Sequence, residues 1–96
     1  HAFLAGVAFL MLAVQVRAGE AVTLSGMVFA TDWDAAGRIT AVSVVTESGR
    51  EYHVLPDPPG PELFRREGDT VEIEGVAGMD AVGRRTVTVI RYRVLR

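Results

Sequence analysis

The sequence predicts an all-β domain: five strands closed into a small barrel, with one short helix between the third and fourth. Three observations predict it. Turn residues recur at short intervals from Gly19 onward, as they do in all-β domains. The segments between them alternate apolar and polar side chains with the two-residue period of a strand. A proline-rich interruption, Pro56-Asp57-Pro58-Pro59-Gly60-Pro61, leaves three such segments before it and two after.

The first strand is expected over residues 21–31, where Val22, Leu24, Gly26, Val28 and Ala30 share one face. Gly26 at mid-strand marks a bend or a close approach of two backbones. Asp32-Trp33-Asp34-Ala35-Ala36-Gly37 reads as a loop, and residues 38–46 as the second strand. Ile39, Val42 and Val44 break strict alternation there, which places a bulge near Ala41. Glu47-Ser48-Gly49-Arg50 is a tight hairpin turn into a third strand over residues 51–55, with Tyr52 and Val54 on one side.

Proline cannot supply a ladder donor, so Pro56 ends that strand. Pro61 suits the first position of a helix. One or two helical turns are expected over residues 62–67, closed at Gly68, with Leu63 and Phe64 plugging the barrel end. The fourth strand follows over residues 70–76, where Val71, Ile73 and Gly75 alternate with Glu72 and Glu74. Residues 77–83 read as a loop and residues 84–95 as the last strand. No internal repeat is expected.

Residues 1–18 read differently. No charged side chain occurs from Ala2 to Val16, and Arg17, Ala18 and Gly19 follow. An apolar run ending in small residues has the character of a secretory signal. Val16 and Ala18 set its cleavage after Ala18, leaving a barrel domain over residues 19–96. The run is shorter than the about 20 apolar residues of a spanning helix. Retention as a membrane tether through residues 2–16 is the alternative. The basic leader that normally precedes such a run is missing and the chain opens on His1, so the segment is expected to be truncated at its start.

Ten cations face twelve acids over the whole chain, a net charge of −2; without Arg17 nine face twelve, a net charge of −3. A mildly acidic domain is not drawn non-specifically to nucleic acid or anionic membrane. All the cations are Arg. There is no Cys, so neither disulfides nor thiolate chemistry is available. The core must close by packing alone at roughly 78 residues, near the lower margin for a domain without staples.

The order of three strands, a short helix and two strands resembles the OB-fold, a five-stranded Greek-key barrel. The resemblance covers residues 21–96. It is carried by Arg38-Ile39-Thr40-Ala41-Val42, by Gly49-Arg50-Glu51-Tyr52-His53-Val54, and by Gly68-Asp69-Thr70-Val71-Glu72-Ile73-Glu74-Gly75. The last phrase looks like the helix-to-fourth-strand junction of such barrels. With the apolar leader, the whole resembles the small exported OB-fold proteins of bacteria, many of unknown function. An SH3-like barrel is the nearest structural competitor.

The chemistry-bearing residues are few. His53 is the sole histidine after His1, and alternation turns it outward beside Glu51. A zinc site needs further His or Cys ligands, so no metal and no cofactor is expected. Asp32 and Asp34 have a faint calcium-loop spacing, but Trp33, Ala35 and Ala36 offer no side-chain oxygen. Turn chemistry accounts for both aspartates. Ser25, Ser43 and Ser48 belong to no nucleophile-and-base arrangement. An enzyme is therefore not expected.

Five residues are candidates for ligand contact. Trp33 lies in the loop between the first two strands, which OB barrels use with the face of strands two and three. Tyr52 and His53 lie on the third strand. Arg91 and Arg93 share a face of the last strand around Tyr92, a pattern that holds single-stranded nucleic acid. Glu72 and Glu74 on the preceding strand account for the same arginines as cross-strand pairs.

The expected function is that of an exported, non-catalytic binding or interaction module of the bacterial periplasm or envelope. Its partner is a peptide, another protein, a small molecule or a glycan. Its contact region is expected near Trp33, Tyr52 and His53, with the loop over residues 77–83. A nucleic-acid-binding domain using the arginine-rich last strand, and a structural or stress-related envelope protein without a discrete site, are the alternatives.

Overall fold

Alternation along the chain is what closes the sheet. The computed structural model describes residues 19–95, and in it five strands pair in the order β1-β2-β3-β5-β4 and return to β1. They are β1 (Glu20–Trp33), β2 (Ile39–Thr46), β3 (Glu51–Val54), β4 (Thr70–Met79) and β5 (Arg85–Val94), with a 3-10 helix over Gly60–Arg66 between β3 and β4. All neighbouring pairs are antiparallel except β3 and β5, which run parallel over His53–Thr86 and Val54–Val87. This is the OB-like Greek-key barrel the sequence predicts. The apolar segment over residues 1–18, expected as a secretory signal, lies outside the described residues.

The long first strand serves two neighbours. Its first half pairs with β4 from Glu20–Ala77 to Met27–Thr70, and its second half pairs with β2 from Gly26–Thr46 onward. A strand that passes between two partners must coil sharply, and Gly26 sits at the handover. A Cβ there would collide with the carbonyl oxygen of Val45. The close approach expected at Gly26 is present for that reason.

Inward side chains fill the barrel. Val28, Val42, Val44, Val71, Ile73 and Val87 are fully buried, and Leu24, Val54 and Val89 nearly so. Each such burial stabilises the fold by about 1.5–3 kcal/mol. Leu63 of the 3-10 helix is fully buried as the plug, and Phe64 packs partly against the same cluster. The helix is of the 3-10 type. Its bonds run three residues back, Gly60 N–H to Asp57 O at 2.8 Å and Glu62 N–H to Pro59 O at 3.0 Å. It therefore starts two residues before the expected Glu62. The junction after it is stitched to β1, with Gly68 N–H donating to Val28 O at 2.8 Å and Val28 N–H to Asp69 O at 3.0 Å.

The bulge expected near Ala41 is present as a double irregularity. Ala41 pairs with Asp32, and the register shifts on both sides of that pair. A second irregularity between Glu74 and Gly75 leaves Ile90 of β5 without a partner and 61% exposed. It lets Val89 and Tyr92 both face the core.

Two expected loops are shorter than the sequence reading had them. β1 runs on to Trp33, which pairs with Ile39, and β4 runs on to Met79, which pairs with Arg85. What remains between the strands are short turns, and they repeat. Asp34-Ala35-Ala36-Gly37-Arg38, Thr46-Glu47-Ser48-Gly49-Arg50 and Asp80-Ala81-Val82-Gly83-Arg84 share the pattern Asp/Thr-x-x-Gly-Arg. In all three the first residue's amide donates to the arginine's carbonyl, at 2.8, 2.9 and 3.0 Å, and the glycine amide donates back to the first residue's carbonyl. The glycines have φ of 81°, 86° and 88°, the left-handed conformation that a three-residue hairpin loop demands. One turn recipe closes all three antiparallel hairpins.

Candidate binding site

The first residue of each hairpin does more than turn the chain. Asp34 Oδ1 accepts from the amides of Ala36 and Arg38, both at 2.9 Å, and Oδ2 accepts from Arg38 Nε at 3.3 Å. Asp80 Oδ1 accepts from Val82 at 3.1 Å and Arg84 at 2.8 Å, and Oδ2 from Arg84 Nε at 2.7 Å. Backbone amides from Arg38 and Arg84 lead the causes that hold both carboxyls below the usual aspartate value. Thr46 imitates the arrangement with its hydroxyl, which accepts from Arg50 N–H at 3.3 Å. The hairpins are thus braced from within, and Arg84 of the last one lines a cavity.

That cavity, of about 380 Å³, lies over β3 and is lined by Thr31, Asp32, Ala41, Glu51, His53, Arg84 and Arg85. The end of β1 supplies one flank and the start of β5 the other. Thr31 and Asp32 are consecutive, yet both reach it. Regular alternation forbids this, and the register irregularity at Asp32–Ala41 permits it. A bulge that re-aims a side chain toward a site is a recurrent use of the device. Glu51 and His53 share the outer face of β3, as expected.

Charge is divided across the cavity. Asp32 Oδ1 accepts only from the adjacent Trp33 amide, at 3.0 Å. Arg84 is held by Asp80 through Nε. Among the described residues, neither Glu51 nor Arg85 belongs to any of the five ion pairs within 4.0 Å. Opposite charges therefore line one cavity without closing onto each other. No three His, Asp or Glu side chains converge to hold a metal ion among the described residues.

Beside the cavity a row of register partners crosses the barrel's outer wall: Phe29, Ser43, His53, Thr86 and Gly78. Ser43 is fully buried there, and its Oγ has no hydrogen-bond partner among the described residues. A buried hydroxyl left without a partner costs about 1–3 kcal/mol. Phe29, at 44% exposure, stands on the other side of Ser43 from His53.

Of the five residues singled out from the sequence, only His53 lines this cavity. Trp33 is 53% exposed at the end of β1. Tyr52 pairs with Val44 and packs partly against the core cluster, so it lies on the opposite face of β3 from His53 and lines a separate cavity with Arg50. Arg91 and Arg93 lie on the outer face of β5, opposite Glu74 and Glu72. Arg91 Nη2 meets Glu74 Oε1 at 2.7 Å and Arg93 Nε meets Glu72 Oε1 at 2.9 Å. Arg91 is the largest influence lowering the Glu74 carboxyl, and Glu74 in turn raises Arg91.

Sequence reasoning missed Asp32, Arg84 and Arg85 as site residues, and Phe29 as an exposed aromatic. Phe29 was legible, since alternation with Val28 turns it outward. Asp32 was not, because only a bulge of known register reveals its direction. Arg84 and Arg85 were carried by the repeated Gly-Arg hairpin ending, which recurs at a spacing too irregular to read as a repeat. No protein-family model matches the chain, and no curated protein or solved structure is significantly similar to it. Fold and site together define a small OB-like barrel with a bipolar cavity on the outer face of β3.

Proposed function

We propose that the chain is an exported, non-catalytic binding module of the bacterial periplasm or envelope, and that the cavity over β3 is its contact site. The observation that carries this reading is the cavity itself: Asp32, Glu51 and Arg85 line it without an ion pair among the described residues, beside an Arg84 that Asp80 braces. Rigid walls with unsatisfied charged groups suit recognition, because little ordering entropy is lost when a ligand enters. A catalytic reading lacks parts. His53 makes no hydrogen bond to Ser43, its register neighbour, whose hydroxyl is buried. A nucleic-acid reading through β5 is disfavoured by the pairing of Arg91 and Arg93 with Glu74 and Glu72.

Export rests on the uncharged run Ala2–Val16 and the small residues after it. A cut after Ala18 leaves the barrel whole, since the β1–β4 ladder begins at Glu20. Expression in a Gram-negative bacterium with a short basic leader supplied ahead of His1, followed by intact-mass measurement of the periplasmic fraction, should find Gly19 at the N-terminus. A cytoplasmic product keeping residues 1–18 behind that leader refutes export, and a membrane-bound one favours the tether.

Binding is tested by amide chemical-shift mapping of the chain against peptides, small metabolites, neutral glycans and oligonucleotides. The expected shifts cluster on Thr31, Ala41, His53 and Arg85. Shifts confined to Arg91 and Arg93, or none for any class, would overturn the assignment of the site.

A further inference from the structure

Taking the cavity over β3 as the contact site, we infer that its ligand is a small zwitterion, with an anionic group and an ammonium on one short frame, of the amino-acid or dipeptide class. Arg84 and Arg85 stand at the β5 flank, Asp32 at the β1 flank, and Glu51 and His53 on β3. Elsewhere on the barrel, opposite charges that face each other close into pairs, as Arg91 does with Glu74 at 2.7 Å and Arg93 with Glu72 at 2.9 Å. Across the cavity they do not, and the gap between them is the cavity. Arg84 is braced through Nε by Asp80 Oδ2 at 2.7 Å, which fixes the guanidinium plane while its terminal nitrogens make no hydrogen bond among the described residues. Arg85 is not in an ion pair there. Guanidinium forks of this kind match a carboxylate geometrically.

Size and charge together narrow the ligand. A cavity of about 380 Å³ falls near the lower end of the roughly 300–1,000 Å³ of small-molecule sites. It holds a compound of dipeptide size and not a folded partner or a long chain. A purely anionic ligand would be drawn by Arg84 and Arg85 and repelled by Asp32 and Glu51, and a purely cationic one would meet the reverse. Only a ligand carrying both signs is attracted by both flanks at once. Such bipolar complementarity discriminates by repulsion as well as by attraction.

The test is a set of four probes on one frame: alanyl-alanine, its N-acetyl form (anion only), its amide (cation only) and the doubly blocked neutral compound. Each is titrated into the chain at pH 7 and low salt, with amide shifts followed at Thr31, Ala41, His53 and Arg85. The inference expects saturable shifts with alanyl-alanine, at least tenfold weaker binding of both singly blocked forms, and loss of the shifts in Arg85→Gln and in Glu51→Gln. Both variants lie on the exposed rim and leave the core untouched, and an unchanged thermal midpoint checks this. Equal or tighter binding of one singly blocked or neutral probe overturns the zwitterion while leaving the cavity as the contact site. Silence from all four probes also overturns it, and the broader ligand panel above then decides whether the cavity binds at all.

Discussion

The phenol of Tyr92 donates to Glu62 Oε1 at 2.9 Å, tying the last strand to the 3-10 helix that plugs the barrel. Tyr92 packs partly against the core, so the ring contributes burial and the hydroxyl contributes the tie. Tyr92→Phe keeps the ring and removes only the tie. The expected loss is about 1 kcal/mol, the usual net worth of one hydrogen bond, read as a fall of about 4–8 °C in the thermal midpoint for a domain of this size. A larger fall would mean the helix docks through this bond more than through Leu63. Desolvation, followed by the bond to Glu62, raises the phenol above its ordinary value of 10.0. A raised folded value means the contribution is full below the unfolded value and is lost as pH rises through the folded one. Wild type should therefore lose stability above pH 10 by more than Tyr92→Phe does.

The braced hairpins make the opposite pH prediction. Asp34 and Asp80 are both lowered from 3.8, first by the amides of Arg38 and Arg84. A lowered folded value means the contribution is present above the unfolded value and is lost as pH falls through the folded one. Protection of the Ala36, Arg38, Val82 and Arg84 amides against hydrogen exchange, relative to their intrinsic rates, should fall selectively below about pH 4. The Thr46 hairpin has the same backbone bonds but no carboxylate, so it serves as the internal control. Equal loss of protection in all three turns would show that the carboxylates contribute nothing local.

How much of this was legible from the chain follows from the range of each cause. Alternation is local, so the inward faces of β1 and β4, the plug at Leu63, and the outward turn of His53 and Glu51 could all be read directly. Gly26 was readable because a glycine in mid-strand has few other uses. The ends of β1 and β4 were misjudged because Trp33 and Met79 are held in strands by their partners Ile39 and Arg85, and partners do not show in a single strand's pattern. The bulge near Ala41 could be foreseen from Ile39, Val42 and Val44, but not its effect on Asp32. The cavity is built from four strands, and its composition depends on registers that no local pattern states. Tyr52 shows the cost of naming neighbours in sequence as neighbours in a site, since one step along β3 turns a side chain to the opposite wall.

Ser43 gives a prediction of unusual sign. It is fully buried on the outer row between Phe29 and His53, with its hydroxyl unpartnered among the described residues. Most substitutions at a buried position destabilise. Ser43→Ala removes an unsatisfied polar group with almost no change in volume, so the domain should be stabilised by about 1 kcal/mol. Chemical denaturation with an unchanged slope would measure it. A clear loss of stability would reveal that the hydroxyl is satisfied, by an ordered water or by a rearranged His53.

The charge ladder on β4 and β5 separates stability from recognition. Glu72 and Glu74 face Arg93 and Arg91 on the outer wall, and all four side chains are at least 29% exposed. Exposed pairs of this kind contribute little to stability, so the double variant Glu72→Gln, Glu74→Gln should unfold close to wild type. Its surface should change far more than its stability. Freed from their partners, Arg91 and Arg93 flank a strand whose net charge has risen by two, and counterion release then favours phosphate chains. The variant should gain an affinity for single-stranded oligonucleotides that falls steeply with salt, whereas wild type should show none at 50 mM salt. Equal, strongly salt-dependent binding by both proteins would mean the glutamates do not neutralise the arginines in solution, and the nucleic-acid reading of the last strand would return.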